Sequence, residues 1–316
     1  MNGKTLADLY KNQLSGYRDW EGMKRLEGSS CCYIVFPENC GKYLSIDETA
    51  LSRDQVFTFV TNKAGHGGKG TLVAMISGTR SADIIGVLQK GIPLDKRKKV
   101  REITCDLSSA MMEAARTSFP KAGVVNDRFH VQQLFVEAID EIRIVTRHLV
   151  RNEENRRKEL CDEAGEDYVP QKYANGETMP QILLRTKQAL TMAPNKLTPE
   201  QQQRLDILFQ HYPDLKQAYE LMGELRDIFN MKITVTQAGL KLAKWFNKVL
   251  AVGNASFNSV VRTFKNHYKT ILAYFKRRST NASAESFNAK VKVFRTQLRG
   301  VMDTSFFVFR LQKLFA

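Results

Sequence analysis

Long apolar runs are absent from this chain of 316 residues. None approaches the roughly 18 residues that a membrane-spanning helix needs. The first twenty residues lack the apolar stretch of a secretory signal, so a cytoplasmic protein with no membrane partner is expected. Cysteine is scarce: five thiols make no disulfide framework in a chain of this length. Cys31, Cys32 and Cys40 cluster, but without the paired C-x2-C spacing of a zinc site, and are expected to be reduced thiols with no assigned role. A phosphate-binding loop is also missing. The glycine run at 65–70 (GHGGKG) is not followed by G-K-[ST], so it reads as a hairpin turn.

Acidic residues are nearly absent from the last quarter. Over the whole sequence 48 Lys and Arg stand against 33 Asp and Glu, a net charge of +15. Residues 231–316 hold sixteen of the basic residues and two acids, Glu285 and Asp303, so this part carries +14 and residues 1–230 are close to neutral. Self-repulsion on that scale is tolerated when a polyanion is the partner, which points to nucleic acid, the alternative being a basic surface that binds nothing in particular. With 43% hydrophobic residues the chain can bury one large core or two ordinary ones.

Four segments follow from the patterning. Residues 1–41 are short, mixed and carry no clear period. Residues 42–160 alternate strands and helices. A short strand at 42–46 and β-branched, aromatic runs at 55–61 (QVFTFVT) and 71–77 (TLVAMIS) read as three antiparallel strands joined by hairpins. Helical spacing follows at 81–90, a strand at 100–105, a helix at 108–119 stopped by Pro120, a strand at 123–126 and a long helix at about 129–160. The order β-β-β-α-β-α-β-α predicts an α/β fold with a mixed five-stranded sheet covered by helices.

Residues 161–230 read as a helical insertion. A loop at 162–180 precedes a helix start at Thr198-Pro199-Glu200-Gln201 and a second helix from Pro213 to Phe229. Residues 231–316 are basic and helical, and complete the core. Phe257, Val261, Phe264, Tyr268, Ile271 and Phe275 make one apolar face. Arg262, Lys265, Lys269 and Lys276 fall within about 60° of one another at 100° per residue, a stripe suited to phosphates.

Three carboxylates suit chemistry on that polyanion. Asp47 (YLSID) and Asp106 (REITCD) close predicted strands, where ligands of α/β sheets usually bind. Either residue taken singly is equally compatible with a helix cap. Glu285 lies on a predicted helix capped by Asn281 or Ser283 and ended by Gly300, with Phe287, Val291, Phe294 and Leu298 as its buried stripe. On the helical wheel Glu285 shares a face with Asn288, Lys292, Arg295 and Arg299, a spacing that an exposed glutamate offset by nearby lysines would also show. Two aspartates on neighbouring strands and one glutamate on a helix would hold two Mg2+ or Mn2+ ions for an in-line phosphoryl displacement. Lys292, Arg295, Arg299 and Asn288 would grip DNA beside them. Asp127 and His130, at a strand-to-helix junction, could form an orienting pair, contact DNA or add a ligand.

Four stretches in this order resemble the DDE transposases of bacterial insertion sequences. They are SIDETAL around Asp47, CDLSS around Asp106, VVNDRFHV around Asp127 and NASAESFNAKVKVFRTQLRG around Glu285. The D-x-F-H-V signature is met by Asp127, Phe129, His130 and Val131, and the N-x3-E-x2-N-x3-K pattern by Asn281, Glu285, Asn288 and Lys292. The resemblance implies an RNase H-like core with the catalytic, metal-holding triad Asp47, Asp106 and Glu285, and a helical insertion ahead of the glutamate. It makes Asp127 and His130 accessory residues, matching a C/D-x2-H motif placed some twenty residues after the second aspartate. The implied activity is strand cleavage at transposon ends and transfer into target DNA, by a bacterial, nucleoid-associated dimer or larger assembly. The zinc-ribbon and helix-turn-helix region usual in the family has no counterpart in residues 1–41, which implies end recognition by a separately encoded protein. The same triad would serve an RNase H-like nuclease or resolvase without strand transfer. A transposase-derived DNA-binding protein is the non-enzymatic alternative.

Overall fold

The computed structural model describes residues 3–52, 55–297 and 303–316. Two compact units divide the chain, one of Met1–Asp127 with Arg277–Ala316, the other of Arg128–Lys276. Their boundaries group the chain differently from the four sequence segments. The second unit takes in the long helix before residues 161–230 and two basic helices after them.

The first unit contains α1 (Gly3–Leu9), β1 (Lys24–Arg25), β2 (Cys32–Val35), β3 (Tyr43–Ser52), β4 (Gln55–Asn62), β5 (Leu72–Ser77), α2 (Ser81–Gly91), α3 (Leu94–Arg97), β6 (Glu102–Cys105), α4 (Ser109–Ser118) and β7 (Gly123–Asn126). The strands form one mixed sheet in the order β1-β2-β5-β4-β3-β6-β7. Neighbours from β1 to β3 pair antiparallel, whereas β3-β6 and β6-β7 pair parallel. The sheet therefore has seven strands, not five. The added pair comes from residues 1–41, where a two-residue strand and the four-residue CYIV are too short to show a period. β3 is also longer than the strand expected at 42–46. It runs ten residues because β4 pairs with it as far as Ser52↔Gln55. The glycine run sits between β4 and β5, as a hairpin turn should.

Period-two alternation gives this sheet two faces. Leu44, Ile46, Val60, Ile76, Ile103 and Cys105 join Ile84, Val87 and Leu88 of α2 and Met111, Met112 and Ala115 of α4 in one core. Phe57, Phe59, Leu72 and Met75 on the other face pack against α11 (Ala282–Gln297) and α12 (Thr304–Phe315) through Phe287, Val291, Phe307 and Leu311. The N-terminal segment is anchored on α12. Tyr17 meets Phe306 and Phe309 edge to face, and Trp20 Nε1 donates to Gln312 Oε1 at 3.2 Å.

The second unit is all helical: α5 (Arg128–Ala164), α6 (Met179–Arg185), α7 (Pro199–His211), α8 (Pro213–Asn230), α9 (Val235–Val252) and α10 (Asn258–Arg277). Thr198 starts α7 in a reciprocal capping box with Gln201, as the sequence predicts, and Thr234 does the same for α9 with Gln237. Its centre is aromatic. Phe135 stacks on Phe257 with centroids 4.8 Å apart, and Trp245 lies 5.0 Å from Phe264 and donates to the Leu221 carbonyl. Among the described residues no helix is long and apolar enough to cross a membrane.

Candidate functional site

The register of two parallel strands brings Asp47 and Asp106 together. β3 and β6 pair from Tyr43↔Glu102 to Ile46↔Cys105, where β6 ends. The next residue in each segment is the aspartate: Asp47 continues β3, and Asp106 opens the turn after β6. Since Ile46 and Cys105 point into the core with α2 and α4, alternation turns Asp47 towards the face that carries α11. Asp47 is 9% exposed, and Asp106 is half-buried. The Cys105 thiol feels both. Burial pushes its pKa up to about 12, and the Asp106 and Asp47 carboxylates add to the rise against the opposing Arg116.

Each aspartate is held by a neighbouring asparagine. Asp47 Oδ1 accepts from the Glu48 N–H at 2.9 Å, and Oδ2 accepts from Asn288 Nδ2 at 2.9 Å. Asp106 Oδ1 accepts from the Ser108 N–H at 2.9 Å, while its carbonyl accepts from Asn126 Nδ2 at 2.7 Å. The cap of α4 is Ser108, whose hydroxyl accepts from the Met111 N–H. Asp106 thus shapes the turn ahead of the helix without being its cap.

Glu285 stands in the first turn of α11 and is exposed. Its N–H donates to the Asn281 carbonyl at 2.9 Å, so the helix begins after Asn281. Neither expected side-chain cap forms: the Asn281 amide and the Ser283 hydroxyl are buried without hydrogen-bond partners. Three residues on, about 4.5 Å along the helix, Asn288 reaches Asp47. Asn288 therefore differs from the expectation that grouped it with the DNA-facing residues. It flanks the Phe287 and Val291 stripe, is buried, and spends its donor on Asp47. Lys292 is exposed and Arg295 half-buried. Arg299, Leu298 and Gly300 lie outside the described residues. A second tether of α11 runs from Lys290 Nζ to the Gly67 carbonyl at 2.6 Å, in the hairpin turn. Gly67 has φ of 73°, and a Cβ there would meet that ammonium at 2.8 Å.

Two of the three expected metal-holding carboxylates are thus adjacent, and the helix bearing the third is bonded to one of them. Among the described residues no three His, Cys, Asp or Glu side chains are grouped closely enough to hold a metal ion. The donor chemistry suits a hard cation. Mg2+ is commonly bound through one or two carboxylates, with water and substrate phosphate completing its octahedron.

Asp127, 1% exposed, follows β7, and its N–H donates to the Cys105 carbonyl at 3.0 Å. His130 lies in the first turn of α5, half-buried, with its ring edge-on to the exposed Phe129 at 5.7 Å. Three contributors escaped the sequence reading. Glu48, the exposed residue that follows Asp47 in β3, has its pKa raised by partial desolvation and then by Asp106. Lys63, from the hairpin turn, sets its ammonium on the Thr104 hydroxyl. Burial lowers its pKa, while Glu102 and Asp127 oppose that shift. Asn126 is the third. Glu48 was legible as the residue after Asp47. Lys63 and Asn126 carry no local signal, because their partners come from other strands.

In the second unit the basic stripe of α10 forms as expected. Phe264, Ile271 and Phe275 are buried, Val261 and Tyr268 half-buried, and Arg262, Lys265, Lys269 and Lys276 all exposed. A helix face of four cations attracts a phosphate backbone without regard to base sequence.

The cysteines are free thiols. Burial raises the Cys31 pKa and pushes that of Cys40 up to about 11, which disfavours the nucleophilic thiolate at both.

Against known proteins, the family model DDE_Tnp_ISL3, described as Transposase, matches residues 44–311. No curated protein and no solved structure matches the chain.

Proposed function

The chain belongs to the DDE_Tnp_ISL3 transposase family, and on that premise we propose that it cuts DNA strands at the ends of a mobile element and joins them to target DNA, using Asp47, Asp106 and Glu285 as metal-holding carboxylates. The observation that carries this assignment is the level placement of Asp47 and Asp106, each directly after the last paired residues of two parallel strands. The order β5-β4-β3-β6-β7, antiparallel then parallel, supports an RNase H-like core with two further strands on its β5 edge.

When bound, two Mg2+ or Mn2+ ions would activate the attacking oxygen and stabilise the leaving one. Asp47 and Asp106 would supply their hard ligands on the sheet, and Glu285 would approach from the exposed first turn of α11. Lys292 and Arg295 on the same helix would hold phosphates next to the reacting strand, joined by Arg299. Asp127 and His130 would act as accessory residues. The α10 stripe of Arg262, Lys265, Lys269 and Lys276 would bind the DNA backbone. Joining two ends calls for a dimer or larger assembly on the nucleoid in the cytoplasm.

Asp106→Asn tests the assignment. It should abolish strand cleavage of end-bearing DNA while leaving binding in chelator unchanged. Cleavage at the wild-type rate would overturn it.

A further inference from the structure

Asn288 occupies a place where packing alone calls for an apolar residue. It is 7% exposed and lies beside Phe287 and Val291, both fully buried. Phe287 meets Phe59 edge to face at 5.4 Å, and Phe59 is the β4 partner of Asp47. An amide in such a seam gives up its water and recovers the loss only through hydrogen bonds. Here Nδ2 is bonded to Asp47 Oδ2, while Oδ1 is buried without a partner. A leucine of similar volume would fill the seam and strand no carbonyl. Neither packing nor contact with DNA accounts for a buried amide used on one side only.

The remaining explanation lies in Asp47. Its carboxylate receives one N–H from its own strand, at Glu48, and another from α11, at Asn288. Donors arriving at both oxygens from different elements fix the carboxylate plane. The second donor also fixes the distance between β3 and the helix that carries Glu285.

We propose that Asn288 is a positioning residue that holds the Asp47 carboxylate in its cation-binding orientation and ties the strand to the Glu285 helix. The proposal rests on the reading of Asp47 as a metal-holding residue. Partners of metal ligands that act by hydrogen bonding are commonly worth 10- to 100-fold in metal affinity.

The test uses the full chain without DNA and follows Mn2+ binding by calorimetry, with thermal unfolding recorded alongside. Asn288→Ala should weaken Mn2+ binding by about tenfold or more and leave DNA binding in chelator unchanged. Asn288→Leu, which refills the seam, should unfold at a higher temperature than the alanine variant yet bind Mn2+ as weakly. That combination separates positioning from packing. If the leucine variant binds Mn2+ like wild type while Asp47→Asn does not, the proposal is overturned and the Asp47 assignment survives. If Asp47→Asn also binds like wild type, the Asp47 assignment itself fails, and this proposal with it.

Discussion

Asn126 donates from its side-chain amide to the main-chain carbonyl of Asp106 at 2.7 Å, across the gap between the last two strands of the sheet. The amide is fully buried and also lies 3.4 Å from the Met112 sulfur. It anchors the turn that follows β6, and with it the backbone on which the Asp106 carboxylate is hung. Asn126→Leu would leave that carbonyl without its donor, a loss of about 1–3 kcal/mol. Urea unfolding should register this destabilisation. Strand cleavage should fall by more than the loss of folded protein explains, because the turn itself moves. A variant that cleaves in proportion to its folded fraction would reduce Asn126 to a stability residue.

Glu177 predicts a pH dependence in the helical unit. Its carboxylate is 7% exposed and receives Nε and Nη2 of Arg204 at 2.9 and 3.0 Å, with Arg185 beside them. The bond from Arg204 holds its pKa below the usual 4.5. A carboxylate lowered in the folded state is a stabilising group whose effect is full above the ordinary value and lost as pH falls through the lowered one. Glu177→Gln should therefore cost about 1–3 kcal/mol near neutrality, and the gap to wild type should narrow as pH falls below the ordinary glutamate value. Thermal unfolding of both proteins across pH 3–7 measures it; a gap that stays constant would contradict the assigned linkage.

Residues 1–41 should be indispensable for a soluble chain. They supply β1 and β2, whose backbone covers the edge of β5 from Tyr33↔Ile76 to Val35↔Ala74. They also carry Lys11, bonded to Asp303 at 2.5 Å, and the Tyr17 and Trp20 rings that lie on α12. Removing them would expose an unpaired strand edge next to an uncovered aromatic face, the combination that drives edge-to-edge aggregation. A chain beginning at residue 42 should accumulate as aggregate, whereas Trp20→Ala should remain soluble and unfold at a lower temperature. Recovery of a soluble, monodisperse truncated chain would refute the covering role.

What the sequence made legible follows from how local each signal is. β7 was expected at 123–126 and lies at Gly123–Asn126, because a short β-branched run between Gly and Asp marks its own ends. The cap at Thr198 was equally local. Asp106 could be singled out as a strand-ending acid, whereas Asp47, expected to be one as well, lies inside β3 because pairing with β4 carries that strand on to Ser52, and the adjacency of the two depends on the β3-β6 register, which no stretch of sequence contains. Asn288 illustrates the limit. A helical wheel puts it near Lys292, and only the sheet beneath α11 decides that it turns inward to Asp47 across 241 residues of sequence.

The α10 stripe makes a quantitative prediction about DNA. Each cation that neutralises a phosphate releases condensed counterions, so the logarithm of affinity falls with the logarithm of salt by about 0.9 per contact. Arg262, Lys265, Lys269 and Lys276 are all exposed on one helix face. Replacing all four by glutamine should reduce the salt slope by about 3 to 4 and weaken binding equally for end-bearing and random duplex. The variant should melt close to wild type, since exposed side chains away from special features move stability little. Anisotropy titrations over a potassium chloride series read both quantities. An unchanged slope would mean that the stripe is solvated surface and that the excess charge of residues 231–316 meets DNA through α11 instead. A slope reduced only for end-bearing DNA would contradict backbone contact and assign base readout to α10.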